Sequence, residues 1–429
     1  MYIIESVKVD GFWHRFVVNG EFNPEVNIVI GKNGTGKTTF MNILHAVLSV
    51  DIETLISLDF DSVEIRLSNG SSKRKILAEI IDDGTSYPHI SYKISTKRHH
   101  VPLINPESRQ HSFAARRRAQ VKIELLKAEM QKLIKIASLS VYRLRSSESV
   151  EVRDRNNSLN LMSPVDFRLK EVLSNLTKFQ LELAQQANEV STKLQKDVLG
   201  GLLYSKNSSS KNYNLDAFDK NQERELLTNA FKRLATLDRE LRERINRHVE
   251  AVSSAFELLQ DARKEAAADA DVLTIGKSFD FEALDAFVKT RKVIGLSLEA
   301  ENKISIINSP IELLQNTIHE FIEDKKFNFL AGPEPTVKNK YCQINMESLS
   351  SGEKQLLILF VETILQRNQR YIFLTDEPEI SLHISWQRKI IPAIRKLNPK
   401  AQVIVATHSP EVAARYRDSI IDMEKIIRG

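Results

Sequence analysis

The residues with the clearest capacity for chemistry form a glycine-rich loop near the start of the chain. The segment Gly31–Thr38 reads Gly-Lys-Asn-Gly-Thr-Gly-Lys-Thr and matches the pattern G-x-x-x-x-G-K-[ST]. It lies between the β-branched run Val26–Ile30 and a segment of helical apolar spacing from about Gly36 to Leu48. Because backbone N–H groups at the start of a helix attract anions, this segment predicts a phosphate-binding loop.

Side chains in this loop have separate expected roles. Lys37 would pair with the outer phosphates of a nucleotide, and the Thr38 hydroxyl would be a ligand of Mg²⁺. The predicted nucleotide contacts are Asn33, Gly34, Thr35, Gly36, Lys37, Thr38 and Thr39. ATP and Mg²⁺ are therefore the expected cofactors.

Two acidic residues follow an apolar strand in the second half of the chain. The run Tyr371–Thr375 is followed by Asp376 and Glu377. At the carboxyl end of a strand, Asp376 would organise the Mg²⁺ shell, and Glu377 would orient or deprotonate an attacking water. Taken alone, the same pair is also compatible with a helix N-cap or a solvated turn.

A serine-glycine turn precedes another apolar helix. The segment Leu349–Gln355 reads Leu-Ser-Ser-Gly-Glu-Lys-Gln and leads into the apolar run Leu356–Leu365. The predicted γ-phosphate contacts in it are Ser350, Ser351, Gly352 and Glu353. The same Ser-x-x-Glu spacing is also that of a capping box, which has only a structural role.

A histidine follows the last apolar strand. The segment Ala406–Pro410 places His408 about thirty residues after Glu377, where its ring could donate a hydrogen bond to a γ-phosphate. A single histidine is more often structural. The order of all four segments along the chain favours the phosphate site, with Glu377 and His408 as its catalytic residues.

For these segments to form one site, strands and helices from the two ends of the chain must assemble into one domain. The first 94 residues alternate β-branched runs with Gly, Asn and Asp turns, which predicts a strand-rich lobe. Its runs are Tyr2–Val9, Phe16–Val18, Val26–Ile30, Ser62–Leu67, Lys75–Ile80 and Ile90–Ile94. The basic stretch Lys97–Arg118 that follows has little periodicity, and a helix and a strand at Leu139–Leu144 are expected after it.

The last part of the chain returns to alternating strands and helices, which predicts a mostly parallel sheet. Its strands are expected at Cys342–Met346, Tyr371–Thr375 and Gln402–Ala406, with helices from Gly352 and Ser385. We predict an α/β fold with a mixed or mostly parallel sheet and an antiparallel β subdomain. Residues 1–150 and 331–429 would form its two halves.

Residues 151–330 are expected to form a long helical, coiled-coil-like insertion between these halves. Two apolar seams at alternating spacings of three and four support this expectation. The first seam comprises Leu169, Val172, Leu176, Phe179, Leu183, Ala187, Val190 and Leu194. The second comprises Leu227, Ala230, Leu234, Leu237, Leu241, Ile245, Val249, Val252, Phe256 and Leu259. A projecting arm and a compact bundle that caps the core both fit this pattern.

The four segments together resemble the Walker A, signature, Walker B and switch-histidine motifs of ABC-type ATPases. The resemblance covers about residues 1–48 and 341–418, and it implies an ABC-type ATPase head. It further implies that two copies sandwich ATP, so that Ser350 and Gly352 act on the nucleotide of the partner, in a dimer or a higher oligomer such as a hexamer. Ser381-Leu382-His383 fall at the D-loop position, and Gln110 and Gln120 are candidates for the Q-loop glutamine.

Lys37 and Ser350 are 313 residues apart, which excludes the layout of a transporter ATPase. The sequence is most similar to ATPases of antiphage defence, especially the AriA family of PARIS systems and next the PtuA family of Septu and retron systems. This resemblance implies a scaffold that holds a separate Toprim-like effector nuclease and senses a phage-encoded trigger protein, which could mimic DNA. The alternative is a DNA-repair or DNA-organising ATPase that clamps DNA, with Lys97–Arg118 contacting phosphates.

Composition bears on the cellular compartment and on the class of partner. The net charge of +5 over 429 residues does not by itself indicate nucleic-acid binding. The single cysteine, Cys342, excludes an intramolecular disulfide and favours a reducing compartment. The sequence contains neither a signal-peptide pattern at Met1–Glu5 nor an uninterrupted apolar run long enough for a membrane span. We expect a cytoplasmic protein that does not enter a membrane.

Overall fold

The computed structural model of the chain has an α/β architecture. It describes residues 1–82, 88–104, 112–138, 150–153, 159–202, 218–233, 238–268, 281–329, 335–379 and 382–429. Two large sheets, one antiparallel and one parallel, occur together with several long helices. The predicted fold class is therefore confirmed.

The antiparallel sheet is built mainly from the first hundred residues. Its order is β17-β2-β1-β4-β5-β6-β7. The strands are β1 (Ile3–Phe12), β2 (Phe16–Glu21), β4 (Ser62–Ser68), β5 (Lys73–Ile81), β6 (His89–Ile94), β7 (Lys97–Pro102) and β17 (Ile427–Arg428). Along β4, Val63, Ile65 and Leu67 are buried, as expected for a sheet with one covered face.

The parallel sheet combines strands from both ends of the chain. Its order is β16-β3-β15-β14-β8, and every neighbouring pair is parallel. The strands are β3 (Val26–Ile30), β8 (Ile136–Ser138), β14 (Ile372–Asp376), β15 (Gln402–Ala406) and β16 (Ile420–Asp422). β14 and β15 are buried along their whole lengths, which is typical of strands covered on both faces.

Helix α1 (Lys37–Ser49) links the two sheets through one hydrophobic core. Buried side chains of α1, such as Phe40 and Leu44, belong to a cluster that includes Val63 of the antiparallel sheet and Leu374 of the parallel sheet. The buried Gln402 adds a polar link between the ends of the chain. Its side chain accepts a hydrogen bond from the Ile4 N–H at 2.8 Å and donates one to the Ile4 carbonyl at 2.7 Å.

Further helices and two smaller sheets accompany the two large sheets. The helices are α2 (Ile52–Ile56) and α3 (Phe113–Leu133). β9 (Val150–Arg153) pairs with β10 (Leu159–Met162), and β12 (Thr336–Lys338) pairs with both β11 (Lys326–Asn328) and β13 (Gln343–Ile344). The later helices are α8 (Ser351–Ile364), α9 (Ile384–Gln387), α10 (Ile390–Leu397), α11 (Pro410–Ala413) and α12 (Met423–Ile426).

Long helices occupy the middle of the chain. They are α4 (Pro164–Leu202), α5 (Lys220–Arg233), α6 (Arg239–Ala268) and α7 (Phe281–His319). The described residues form two compact units, one of Met1–Phe179 with Ile311–Gly429 and one of Gln180–Pro310. The second unit has its own core, in which the rings of Phe218 and Phe256 stack and the ring of Phe287 meets both edge to face. Within the described residues, no helix combines the length and apolar composition needed to span a bilayer.

Some sequence expectations differ from these elements. The strand expected at Cys342–Met346 in the parallel sheet is the shorter β13, which pairs antiparallel with β12 in a separate small sheet. The stretch Lys97–Arg118, expected to lack periodic structure, contains strand β7 and the start of α3. The strand expected at Leu139–Leu144 lies outside the described residues, which include the strand directly before it, β8. One helix was expected over the second apolar seam, where α5 and α6 are found and Leu234 and Leu237 are not described.

Candidate functional site

The phosphate loop turns between β3 and α1 through backbone conformations that suit glycine. Gly34 and Gly36 have φ angles of +83° and +84°, in the left-handed region. A Cβ atom on Gly36 would lie 2.7 Å from the Phe12 ring and 3.0 Å from the Trp13 ring. The loop is therefore packed against two aromatic side chains from the β1–β2 turn, and Gly36 is the position where that packing leaves no space.

Lys37 begins α1 and folds back over the loop. Its ammonium group donates hydrogen bonds to the carbonyl oxygens of Gly31 at 2.8 Å and Lys32 at 3.0 Å. Burial lowers the pKa of Lys37, and the nearby carboxylates of Glu377 and Asp376 partly offset this effect. An ammonium group held at the mouth of a loop of N–H groups is suited to pair with phosphate oxygens.

Thr38 and Asp376 meet at the end of the parallel sheet. The Thr38 hydroxyl donates a 2.8 Å hydrogen bond to Oδ2 of Asp376. Asp376 is the last residue of β14 and is buried, and it stands in parallel register with Ala406 of β15. Hard oxygen ligands of this kind, a hydroxyl beside a carboxylate, are those that Mg²⁺ uses beside a nucleotide. The donor set therefore fits the expected ion.

Glu377 follows Asp376 with an unusual backbone. Its φ angle is +46°, uncommon for a residue with a side chain, and its N–H donates to the Ala406 carbonyl at 2.7 Å. The carboxylate comes within 3.6 Å of Nε2 of His408. The sheet thus brings together the two residues that the sequence predicted to be catalytic, because β14 and β15 are neighbours and both end at this edge.

Ser350 caps helix α8. Its hydroxyl donates to Oε2 of Glu353 at 3.0 Å and accepts from the Glu353 N–H at 3.3 Å. The other carboxylate oxygen of Glu353 accepts a hydrogen bond from Lys325 at 2.7 Å. This bond raises the pKa of Lys325 by more than burial lowers it. The capping box that the sequence left as an alternative is present. It holds the Ser350 hydroxyl next to the first N–H groups of a 14-residue helix.

Glu379 lies outside the four predicted motifs, yet it contacts the loop that carries His408. Its Oε1 accepts hydrogen bonds from the Thr407 hydroxyl, the His408 N–H and the Ser409 N–H. The side chain is 8% exposed. The only local sign of this role is the second glutamate of the segment Asp-Glu-Pro-Glu, because the contact is made with a loop 28 residues further along the chain.

The remaining predicted residues lie in several parts of the chain. Asn33, Thr35 and Thr39 lie in the loop and the first turn of α1, and Ser351 and Gly352 lie in the first turn of α8. Gln120 is exposed on α3, and its side-chain amide donates a hydrogen bond to Glu124 at 3.0 Å. His383 is the N-cap of α9, whereas Gln110 and Ser381 lie outside the described residues.

Comparison with known proteins gives a family match over almost the whole chain. The family described as "AAA ATPase domain" (AAA_15) matches residues 2–413. A curated protein from Escherichia coli, "Retron Ec83 probable ATPase", is 33% identical over 127 residues, which are 25% of this chain and 23% of that protein. "Septu protein PtuA" from Bacillus thuringiensis is 34% identical over 83 residues, which are 16% of this chain and 21% of that protein. The chain therefore matches less than a quarter of the length of these relatives.

Solved structures with a similar arrangement include heads of Smc proteins. The Smc head domain with an extended coiled coil from Pyrococcus furiosus has a TM-score of 0.43 and 14% identity, and the match covers 98% of this chain and 93% of that one. The SMC head domain from Thermotoga maritima has a TM-score of 0.37 and 10% identity, with 96% and 91% covered.

Proposed function

The chain belongs to the AAA ATPase domain family, and from this premise we propose that it binds and hydrolyses ATP at the loop Gly31–Thr38. The observation that carries the proposal is the hydrogen bond between Thr38 and Asp376, with Lys37 beside it. A buried carboxylate, a hydroxyl and an ammonium group at the start of a helix form a set that suits a Mg²⁺-bound triphosphate.

Each side chain has a distinct part in the proposed reaction. Lys37 binds the outer phosphates after releasing the carbonyl oxygens of Gly31 and Lys32. Thr38 and Asp376 would hold Mg²⁺, which would supply positive charge to offset that of the phosphates. Glu377 orients the attacking water and takes its proton, while His408, within reach of Glu377, donates to a γ-phosphate oxygen.

We further propose that the site is completed by a second copy of the chain. Ser350 and the N-terminal N–H groups of α8 would contact the γ-phosphate held by the partner, as the resemblance to ABC-type ATPases implies. The Ser350 hydroxyl would then leave Glu353 for a phosphate oxygen. Lys325 supports this exchange because its ion pair with Glu353 reduces the repulsion between that carboxylate and the phosphate.

Mixing two inactive variants tests this arrangement. Lys37→Ala would prevent ATP binding, and Ser350→Arg would block the phosphate contact made in trans. In a mixed dimer, one of the two sites combines the intact Lys37 loop of one subunit with the intact Ser350 of the other. An equimolar mixture should therefore recover about a quarter of wild-type turnover if subunits exchange freely. A mixture that stays as inactive as each variant alone would contradict the trans arrangement.

For the biological role, we propose an ATPase of an antiphage defence system. The names of the relatives from the retron and Septu systems support this role. In the finer proposal the chain is of the PARIS type, similar to AriA, and is an oligomeric scaffold for a separately encoded Toprim-like nuclease. Binding of a phage-encoded trigger protein would release or activate that nuclease in an ATP-dependent step.

A second candidate function is an ATPase that clamps DNA. The observation that favours it is the basic surface of β7 and α3, where Arg98, Arg117, Arg118 and Lys122 are exposed. Part of the charge nearby is neutralised, because Glu129 accepts hydrogen bonds from Lys97 at 2.8 Å and His99 at 2.9 Å.

One pair of measurements separates the two functions. Co-purification with the nuclease encoded by an adjacent gene would support the defence role. Binding of the isolated protein to duplex DNA, weakening steeply with salt, would support the clamp. If DNA binding occurs, Arg117→Glu with Arg118→Glu should abolish it and leave ATP hydrolysis intact. If the double substitution leaves DNA affinity unchanged, the surface on β7 and α3 is not the DNA-binding site.

A further inference from the structure

We propose that Glu379 is a positioning residue that holds the loop of His408 in place for ATP hydrolysis. This inference rests on the proposed ATPase function and assigns a role to a residue outside the four motifs. Glu379 would contact neither nucleotide nor Mg²⁺. It would act through His408, by fixing the backbone from which the ring reaches towards Glu377.

The side-chain hydrogen bonds of Glu379 converge on three consecutive residues. Oε1 accepts from the hydroxyl of Thr407 and from the N–H groups of His408 and Ser409, each N–H at 3.3 Å. The Ser409 N–H is shared with the Thr407 hydroxyl at 2.9 Å. These bonds fix the backbone on both sides of His408. β15 ends at Ala406, and the Thr407 N–H still donates to the Val29 carbonyl of β3 at 3.1 Å. The N–H groups of His408 and Ser409, by contrast, donate to Glu379 rather than to a strand.

Glu379 is itself well anchored. Its backbone carbonyl accepts from the Leu382 N–H at 2.9 Å, and its side chain is buried. A second contact supports the same loop from another side, because the Ser409 hydroxyl donates to the Gln387 side chain at 2.7 Å. The loop of His408 is thus held by two residues that follow Glu377 in the chain, and Glu379 supplies the larger number of bonds.

The two oxygens of Glu379 are used unequally. Oε1 accepts all three hydrogen bonds, whereas Oε2 is buried and has no hydrogen-bond partner among the described residues. The loop therefore requires a single acceptor atom at this point. An amide oxygen can occupy the same place, so glutamine should replace Glu379 far better than alanine does. At Glu377, by contrast, glutamine should not preserve activity, since an amide cannot replace a general base.

The test compares Glu379→Ala, Glu379→Gln and His408→Ala in the full chain with ATP and Mg²⁺. For Glu379→Ala we expect kcat to fall about tenfold or more, while KM and the affinity for a non-hydrolysable ATP analogue change less than about threefold. Glu379→Gln should retain at least about a third of wild-type kcat. Asp51→Ala, which removes another multiply bonded carboxylate at the start of α2, serves as the control for general destabilisation.

A double-mutant cycle decides whether Glu379 acts through His408. In the His408→Ala background, Glu379→Ala should cost little further activity, because the residue that it positions is already absent. Additive losses would overturn the proposal, as would equal losses for Glu379→Ala and Glu379→Gln. A wild-type protein without ATPase activity, or one unaffected by His408→Ala, would instead contradict the proposed function itself. Melting temperatures of all variants identify any that fail to fold.

Discussion

The hydroxyl of Thr38 donates a hydrogen bond to the carboxylate of Asp376 across 338 positions of the sequence. Thr38 stands in the first turn of α1 and Asp376 at the end of β14. Their meeting requires that β3 and β14 belong to one sheet, separated only by β15. The site therefore depends on how the two ends of the chain assemble as much as on any single motif.

Replacing Asp376 should uncouple nucleotide binding from Mg²⁺. In Asp376→Asn the amide oxygen can still accept from Thr38, but the negative charge that attracts the ion is lost. We expect Mg²⁺ to strengthen ATP binding in the wild type and to have little effect in the variant. Calorimetric titration with ATP, in Mg²⁺ and in EDTA, measures this difference. An unchanged dependence on Mg²⁺ would remove Asp376 from the metal site.

Glu377→Gln should stop turnover while ATP remains bound. The amide keeps the size of the side chain but cannot accept a proton from water, so we expect kcat to fall by about 10²-fold or more. Because phosphate binding survives, the ATP-bound dimer should accumulate, and size-exclusion chromatography with ATP should detect it. Turnover close to that of the wild type would show that another group is the base.

Gly36→Ala should disturb the phosphate loop more than Gly34→Ala does. Both positions have positive φ angles, so both substitutions carry a conformational cost of about 1–2 kcal/mol. Only at position 36 would the new Cβ approach the rings of Phe12 and Trp13, whereas nothing lies within 4 Å at Gly34. We expect a larger loss of melting temperature and of ATP affinity for Gly36→Ala. Equal effects would contradict the close packing of this turn.

His45 should make the protein less stable in mild acid. Burial of this α1 side chain lowers its pKa below the ordinary 6.5, an effect that Asp51 partly offsets. The unfolded chain therefore binds a proton more readily, and stability is complete above about pH 6.5 and declines as the pH falls below it. Between about pH 7.5 and 5.5, His45→Gln should lose less melting temperature than the wild type. An equal loss would exclude His45 as a contributor.

The motifs and the strands next to them could be predicted because local sequence determines them. β3 and β15 lie where the apolar runs placed them, at Val26–Ile30 and Gln402–Ala406. Their apolar residues and flanking turns leave few alternatives. The same local argument indicated that Thr38 and Asp376 would share a site, since both lie towards the carboxyl ends of strands of a parallel sheet.

Other features depend on tertiary contacts that a local pattern does not contain. Helix α7 was not identified as a separate element, because its apolar residues are spread around the helix and form no seam. β7 was missed because its Lys-Arg-His-His sequence has little β-propensity, and pairing with β6 over its whole length decides its structure. Glu379 was missed because its role depends on the approach of Thr407.

The position of β3 inside the parallel sheet has a consequence for biosynthesis. Both of its neighbours, β15 and β16, are translated more than 370 residues after it. During translation, β3 and the phosphate loop after it therefore lack the neighbouring strands β15 and β16 until the ribosome has synthesised residues beyond Gln402. A nascent chain interrupted anywhere before Gln402 would leave both edges of the apolar strand β3 without hydrogen-bonded partners, making it a target for chaperones and proteases rather than a partially active nucleotide-binding fragment.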